Sequence, residues 1–166
     1  MVTLERASQS DAVTLANLLQ LYIHDMSAFF PNIELGEDGR FRYDRLALYW
    51  VQPESRFAFL VRARGKLAGF ALVKRGSPAT DDPNVLDVEE FFVARGFRRE
   101  GIGREAARLL WRALPSKWTV RVSEGNAGAL QFWDGVVREL VPAATVSVLP
   151  GNPNAWRVYS LDSGSF

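Results

Sequence analysis

The sequence contains no cysteine, and His24 is its only histidine among 166 residues. The absence of cysteine excludes disulfide bonds, thiolate zinc sites, iron–sulfur clusters and a cysteine nucleophile. One histidine is too few for a histidine-rich metal site and makes a Ser-His-Asp triad hard to assemble. No other pattern indicates a metal, so any catalysis is expected to use carboxylates, hydroxyls and backbone amides.

An excess of charge of one sign and long apolar runs are also missing. The 20 Lys and Arg residues balance 19 Asp and Glu residues to a net charge of +1, which gives no overall attraction to nucleic acid or to an anionic membrane. No apolar run approaches the roughly 20 residues of a membrane-spanning helix. The N-terminal segment has an acidic residue, Glu5, and no apolar core, so we expect no signal peptide and a cytoplasmic protein.

The composition is that of a folded domain, with 48% hydrophobic and 23% charged residues. This length is typical of a domain that buries its own core, and we expect a single domain over residues 1–166. The charge is unevenly placed: residues 81–90 hold five acidic residues and no basic one, whereas residues 95–112 hold six arginines and two acidic residues. Such runs are usually solvated faces, so motifs and spacing have to decide the function.

Hydrophobic periodicity predicts alternating strands and helices. The predicted elements are a strand at Val2–Arg6, a helix from Asp11 to before Pro31, a short helix at Phe41–Trp50, strands at Arg56–Arg64, Leu67–Lys74 and Val85–Val93, a helix at Gly103–Leu114, a strand at Trp118–Val122, a helix at Ala127–Arg138, and an antiparallel pair at Ala143–Val148 and Ala155–Leu161. This order predicts an α/β (α+β) domain with a mixed, mostly antiparallel sheet of about six to seven strands flanked by helices.

One segment has the pattern of an anion-binding site. Phe91-Phe-Val-Ala-Arg-Gly-Phe-Arg-Arg-Glu-Gly-Ile-Gly-Arg104 places a glycine pair between a strand and a helix. A helix start exposes unpaired amides and the positive end of the helix dipole, which favour phosphate, and Arg98, Arg99 and Arg104 add charged donors. The segment lacks the Gly-Lys-Ser/Thr of a P-loop and the third glycine of the dinucleotide fingerprint. From the residues alone, a phosphate site and a plain helix start with solvated arginines are both open.

The same segment resembles a known family signature. Arg98-x-x-Gly101-x-Gly103 after a Phe-Phe-Val strand resembles the Gln/Arg-x-x-Gly-x-Gly/Ala motif of the GNAT superfamily of acyl-CoA-dependent N-acetyltransferases. Asn126-x-x-Ala129-x-x-Phe132-Trp133 is similar to that family's second cofactor motif, and the element order agrees over nearly the whole chain. The resemblance implies transfer of acetyl from acetyl-CoA to a primary amine of a small molecule or peptide by direct attack.

The resemblance also implies how acetyl-CoA binds. The pyrophosphate would contact the amides from Arg99 to Arg104, with Gly101 and Gly103 permitting close approach. The pantetheine arm would pair with the backbone of Phe91–Val93 as an added strand, in a slot where this strand splays from Trp118–Val122. The implied cofactor residues are Phe91, Phe92, Val93, Arg98, Arg99, Glu100, Gly101, Ile102, Gly103, Arg104, Asn126, Phe132 and Trp133. Asn126 equally suits the N-cap of the helix that follows it.

Direct attack needs a base for the ammonium proton and a donor for the thioester oxygen. Strand alternation predicts that Asp87, Glu89 and Phe91 share one face and that Glu90 lies on the other. The family's base often lies a few residues before the cofactor-binding part of this strand, which fits Glu89 best, with Glu90 and Asp87 in reserve. Alternatively, these acids pair with neighbouring arginines. The oxyanion donor would be a backbone amide near Val93.

One position departs from the family pattern. Many members have a tyrosine, the acid for the leaving thiolate, seven residues after the asparagine, and here that position is Trp133. An indole cannot act as that acid, so the general acid is unassigned. Another tyrosine or water can fill the role, or the chain is a catalytically silent acyl-CoA-binding regulatory domain, which is the alternative function.

The acceptor is less well defined by the sequence. The first two helices of this fold usually shape the acceptor pocket, which makes Tyr22, His24 and Tyr43 candidate substrate contacts, although a surface histidine is the commoner situation. The acidic run at 81–90 favours a cationic acceptor. A tRNA acceptor is disfavoured by the net charge of +1. A homodimer is compatible with the family, but no sequence feature requires one.

Overall fold

Seven strands form one sheet in the computed structural model, which describes all 166 residues. The strands are β1 (Val2–Arg6), β2 (Arg56–Ala63), β3 (Lys66–Arg75), β4 (Leu86–Val93), β5 (Lys117–Ser123), β6 (Thr145–Leu149) and β7 (Trp156–Asp162). The helices are α1 (Ala12–Met26), α2 (Leu48–Val51), α3 (Ile102–Ala113) and α4 (Ala127–Leu140). The strand order is β1-β2-β3-β4-β5-β7-β6, and only the β4–β5 pair is parallel. The predicted mixed, mostly antiparallel sheet is confirmed.

Helices cover both faces of the sheet. On one face, α3 and α4 pack Leu110, Trp111 and Trp133 against strand residues that include Trp118 and Tyr159. On the other face, apolar residues of α1 and α2 contact a second set of strand residues: Leu15, Leu18, Leu19 and Tyr49 against Leu60, Phe70, Leu72 and Phe92. None of these helices is long and apolar enough to cross a membrane.

The predicted helix at Phe41–Trp50 is wrong in its first half. A 3-10 turn occupies Asp44–Ala47, and the α-helical part is the single turn of α2. The reason lies in α1, because the Gln20 amide donates to the Phe41 carbonyl at 2.8 Å and accepts from the Phe41 amide at 2.7 Å. Those bonds satisfy the Phe41 backbone outside a helix, so helical hydrogen bonds do not form there.

A β-bulge in β4 shapes the region between β4 and β5. Glu90 pairs with Leu72 and Val88 pairs with Val73, so Glu89 has no partner residue on β3. The pairing of β4 with β5 also ends at Val88, opposite Val120. A bulge bends its strand and increases its twist, and beyond this point β4 and β5 separate. The wedge between them is the slot that the sequence resemblance implied.

Candidate active site

A cleft of about 750 Å³ fills the wedge between the separated strands. One wall comes from α1 and the segment 30–45, another from Val88–Phe91 of β4, and a third from Val120–Ser123 of β5 together with Asn126, Ala129 and Trp133. The cleft therefore lies at the C-terminal end of the only parallel strand pair, where it has both a free strand edge and titratable side chains.

The free edge of β4 is available for an extended ligand. The Ala94 amide donates to the Ala68 carbonyl of the β3 side at 2.8 Å. Because backbone groups alternate along a strand, the amides and carbonyls of Phe91 and Val93 point to the opposite edge, toward the cleft. The Val93 carbonyl already accepts a hydrogen bond from Arg98 Nε at 2.6 Å, which leaves the two amides and the Phe91 carbonyl for a ligand strand.

The loop after β4 presents a run of free backbone amides. No amide from Arg99 to Arg104 donates to an acceptor within the chain. Arg99 and Gly101 adopt left-handed backbone conformations with φ of 62° and 76°, and such alternation turns successive amides toward one point, as in anion-binding nests. The N-terminus of α3 adds its dipole at the same place. Such a run of free amides has the properties of an anion-binding site.

The arginines around this loop have separate tasks. Arg98 donates to Asp25 of α1 at 2.7 Å as well as to Val93, and Arg104 donates to Glu139 of α4 at 2.8 Å. Only Arg99, among the arginines predicted to contact the anion, has no protein partner. The predicted role of charged donor therefore remains open for Arg99, whereas the other two brace the loop against helices.

Two further members of the predicted cofactor set also have structural partners. The Glu100 carboxylate accepts from Arg64 at the β2–β3 turn. Ile102 is 4% exposed and packs with Val61, Ala63 and Ala68. These contacts occupy both side chains, so their contribution to an anion site is limited to their backbone amides.

The two glycines of the motif serve different purposes. Gly101 needs the left-handed conformation, and a Cβ there would meet only Arg104 Nη2, at 3.6 Å. A Cβ on Gly103 would sit 2.9 Å from Cε2 of Phe132. Gly103 therefore permits the close packing of α3 on α4, and the close approach of an anion to its backbone stays a prediction.

Aromatic side chains and Asn126 complete the cofactor side. Phe132 stacks on Phe91 with ring centroids 5.9 Å apart, and Trp133 meets Phe91 edge-on at 5.1 Å. Asn126 is the N-cap of α4, with its Oδ1 accepting from the Ala129 amide at 3.1 Å. Its amide nitrogen stays available to the cleft, so the cap role and a ligand contact are compatible.

Phe92, also in the predicted cofactor set, faces away from these aromatic residues. Its ring packs against Phe70 at 5.7 Å and Tyr22 at 6.2 Å on the α1 side of the sheet. Its side chain therefore does not contribute to a ligand site at the free edge of β4, and only its backbone lies near that edge. The guanidinium of Arg98 covers the Phe92 ring at 5.5 Å, which links the core on that side to the cofactor loop.

Asp87 is a structural ion pair. Its carboxylate is fully buried and receives Arg121 Nε at 3.0 Å and Nη2 at 2.7 Å. The Thr119 hydroxyl donates to the same carboxylate at 2.6 Å. Because the carboxylate is fully buried and both of its oxygens already accept hydrogen bonds, a substrate amine cannot reach Asp87.

Glu89 is surrounded by cations. Its carboxylate is 4% exposed, and Arg56 Nη1, Arg45 Nε and Lys74 Nζ lie 3.2, 3.7 and 3.8 Å from its oxygens. The Tyr49 hydroxyl donates to it as well. These four groups surround the carboxylate oxygens, which leaves little room for a substrate amine to reach Glu89.

Glu90 has a different environment. Its side chain is 11% exposed, receives the Tyr43 hydroxyl at 3.2 Å and lies 3.3 Å from Arg45 Nη2. Burial raises the pKa of Glu90 to about 7, against the lowering effects of the Tyr22 hydroxyl and of Arg45. A carboxylate with a pKa near neutrality that faces a cleft has the properties of a general base.

The predicted alternation along β4 is wrong at this point. Because Glu89 is the bulged residue, Arg45 reaches both Glu89 and Glu90, whereas Val88 and Phe91 pack on the α3–α4 side. The bulge thus converts two consecutive residues into a pair on one side. Nothing in a single sequence marks such an extra residue, since both glutamates fit a strand pattern.

Two of the three predicted acceptor residues line the cleft, and the third does not. Tyr22 and Tyr43 line the cleft beside Glu90. His24 is exposed, lies 6.3 Å from the Phe41 ring and is not in the cleft, which corrects its assignment. Of the other tyrosines, Tyr49 donates to Glu89 and Tyr159 donates to Asp134 at 2.8 Å. No tyrosine occupies the position of Trp133, so the structure supplies no general acid there.

The sequence patterns do not reveal three of the cations that line the cleft. Arg45, Lys74 and Arg121 all line the cleft, and they come from the 3-10 turn, β3 and β5. Only the strand register brings them together, since Lys74 pairs with Asp87, which in turn pairs with Thr119. They also neutralise much of the acidic run at 81–90, which removes the basis for expecting a cationic acceptor.

Comparisons with known proteins identify the family and the fold. The sequence profile of the acetyltransferase (GNAT) family matches residues 17–134, and no curated protein sequence matches. Among solved structures, yncA from Salmonella typhimurium, solved with its cofactor acetyl-CoA, superposes with a TM-score of 0.65 at 15% identity, covering 99% of this chain and 95% of that one. The ribosomal-protein-S18-alanine N-acetyltransferase from Escherichia coli gives 0.64 at 15% identity over 100% and 96%.

A third solved structure is aminoglycoside acetyltransferase AAC(6')-Ib in complex with coenzyme A and kanamycin, with a TM-score of 0.66 at 16% identity over 95% of this chain and 94% of that one. At these identities the superpositions show the fold, and the profile match covers most of the chain. The resemblance seen in the sequence is thereby confirmed. The chain belongs to the GNAT family of acetyltransferases.

Proposed function

We propose that this chain transfers an acetyl group from acetyl-CoA to the primary amine of a small molecule or peptide, with Glu90 as the general base. The observation that supports this most directly is the position of a buried, near-neutral carboxylate in a cleft beside the free edge of β4. Solved relatives of this fold have been crystallised with acetyl-CoA and with coenzyme A plus kanamycin, which supports both the donor and the acceptor class.

Acetyl-CoA supplies an activated thioester and a pyrophosphate handle. In this proposal the amides from Arg99 to Arg104 bind the pyrophosphate, with Arg99 as a charged donor. The free edge of Phe91 and Val93 pairs with the pantetheine arm, and the Val93 amide lies at the end of the strand where it can donate to the thioester oxygen. Phe132 and Trp133 form the apolar wall of this side.

Glu90 is a better base than Glu89 on two grounds. Glu89 is held by three cations and a tyrosine, whereas Glu90 has one cation and a pKa of about 7. At neutral pH part of the Glu90 population is therefore ionised and ready to accept the ammonium proton of the acceptor. The hydroxyl of Tyr43, which donates to Glu90 at 3.2 Å, orients its carboxylate.

Thiol release from acetyl-CoA with a panel of amines tests the proposal. We expect the Glu90→Gln variant to lose about 100- to 10,000-fold in kcat/KM, with unchanged affinity for CoA. Glu54→Gln is the matched control, because Glu54 is an exposed glutamate outside the cleft, and it should behave as wild type.

Two results would count against the proposal. Full activity in the Glu90→Gln variant would remove Glu90 from the mechanism and return the role to Glu89. CoA binding without thiol release for any amine would instead indicate the alternative, a silent acyl-CoA-binding domain.

A further inference from the structure

Basic groups outnumber acidic groups around Glu89 and Glu90. Arg45, Arg56 and Lys74 lie 3.2–3.8 Å from these two carboxylates, and Arg121 is balanced by Asp87. A pocket that only had to attract an ammonium group would have the opposite balance. The one positive charge left over therefore indicates that the acceptor has an anionic group in addition to its amine.

Lys74 is the clearest unused donor. Its Nζ lies 3.8 Å from Glu89 Oε1 and makes no hydrogen bond, although the side chain is only 22% exposed. An ammonium group has three donors, and a mostly buried lysine that leaves them unused is costly unless water or a ligand accepts them. Since Lys74 lines the cleft, a ligand there can accept them.

Arg121 provides a second donor on the facing strand. Its Nε and Nη2 hold Asp87, while Nη1 makes no hydrogen bond within the chain. The guanidinium also lies 5.8 Å from the centre of the Trp156 ring, which in turn stacks on Phe30 at 5.8 Å. These apolar rings lower the local dielectric constant, which strengthens a charged hydrogen bond.

We propose that Lys74 and Arg121 form a subsite for a carboxylate of the acceptor, so that the substrate class is an amine bearing a carboxylate, as in amino acids. This inference rests on the proposed acetyl transfer and names its substrate class. A single negative charge is favoured because Arg121 is already paired with Asp87 and Arg45 with both glutamates. The spare charge thus matches a carboxylate better than a phosphate.

Acetyl transfer to matched acceptors tests the subsite. The probes are glycine, β-alanine and larger amino acids, each compared with its carboxamide, and β-alanine compared with phosphoethanolamine. We expect the acids to exceed their amides by about ten- to a hundredfold in kcat/KM, as for one charge-assisted hydrogen bond. Lys74→Gln should abolish that preference, whereas Lys66→Gln, an exposed lysine at the other end of β3, should keep it.

The outcomes separate this inference from the proposed function. Equal rates for acids and amides, or a Lys74→Gln loss that is the same for both, would overturn the subsite and leave acetyl transfer intact. Preference for phosphoethanolamine would overturn the assignment to a carboxylate. If no amine is turned over, the subsite is tested by calorimetry, which compares the affinities of N-acetyl amino acids and of their methylamides for the CoA-saturated protein. A Lys74-dependent preference of about tenfold for the acids supports the subsite, and equal binding overturns it.

Discussion

Glu89 and Glu90 are consecutive in β4, yet Arg45 contacts both carboxylates, with its Nε 3.7 Å from Glu89 and its Nη2 3.3 Å from Glu90. The bulge at Glu89 is the cause, since it breaks the alternation of the strand. The consequence is electrostatic. The negative charge of Glu89 beside Glu90 disfavours ionisation of Glu90 and so contributes to its raised pKa.

This coupling predicts the pH dependence of Glu89 variants. The charge of Glu89 is one of the causes, after burial, that raise the pKa of Glu90 to about 7. Glu89→Gln removes that charge, so we expect the acidic limb of the kcat/KM profile to move to lower pH. The measurement is thiol release from pH 5.5 to 9.

Tyr43→Phe should move the same limb in the opposite direction. The Tyr43 hydroxyl donates to Glu90 at 3.2 Å and favours its charged form, so its removal raises the pKa of Glu90. Activity should fall most below pH 7 and recover at high pH. Shifts of both variants in the same direction would show that the limb does not report Glu90.

The raised pKa of Glu90 also predicts how the free energy of unfolding depends on pH. An isolated glutamate has a pKa of 4.5, and burial raises the pKa of Glu90 in the folded protein to about 7. The folded state therefore binds this proton more tightly, and its stabilising effect is complete below pH 4.5 and is lost as the pH rises past 7. That loss is on the order of 3 kcal/mol. The glutamine of the Glu90→Gln variant cannot ionise, so this variant does not lose that stability as the pH rises.

Urea unfolding at several pH values tests this. The Glu90→Gln variant should become more stable than wild type as the pH rises from 5 to 8, while it loses activity. A difference in unfolding free energy that stays constant over this range would mean that Glu90 ionises equally easily in the folded and unfolded chains.

The sequence predicts the fold well because the strong signals are local. The stripe of Ala106, Ala107 and Leu110 marks α3, and the element order leads to the mixed sheet. The segment Phe41–Tyr43 is wrongly predicted as helical because the side chain of Gln20 in α1 makes hydrogen bonds with the backbone of Phe41. That bond joins residues 21 positions apart, beyond the range of any local pattern.

The site is predictable on its cofactor side and poorly predictable on its acceptor side. The loop motif identifies Arg99 and Gly101 because a helix start with glycines is a contiguous signal. The choice between Glu89 and Glu90 depends on one extra residue in β4, and Lys74 and Arg121 belong to strands that meet only through register. Long-range contacts of this kind leave no local trace in one sequence.

The loop geometry predicts that Gly101→Asp weakens CoA binding. An aspartate can adopt the φ of 76° at modest cost, but it places a negative charge beside the free amides. We expect an affinity loss of about tenfold or more, as for one lost charge-assisted interaction. Gly39→Asp is the control, because Gly39 has a φ of 74° and open space around it, outside the cleft. Calorimetry with CoA that finds equal affinities in both variants would exclude the loop as the pyrophosphate site.

The packing of Gly103 on Phe132 predicts an energetic coupling between them. A Cβ at position 103 would lie 2.9 Å from Cε2 and 3.0 Å from Cζ of the ring, and moving the ring disturbs its stacking on Phe91. Gly103→Ala should therefore cost about 1–2 kcal/mol more in wild type than in a Phe132→Ala background.

Gly135→Ala is the matched control for this double-mutant cycle. Gly135 lies in α4 with no atom near its Cβ position, so alanine there should stabilise the helix by about 0.5–1 kcal/mol in both backgrounds. Because the helix propensity of alanine at position 103 is the same with Phe132 and with the Phe132→Ala substitution in place, it cancels in the cycle and only the contact with the ring remains. A coupling near zero for Gly103 would mean that α3 and α4 tolerate a wider separation at this contact.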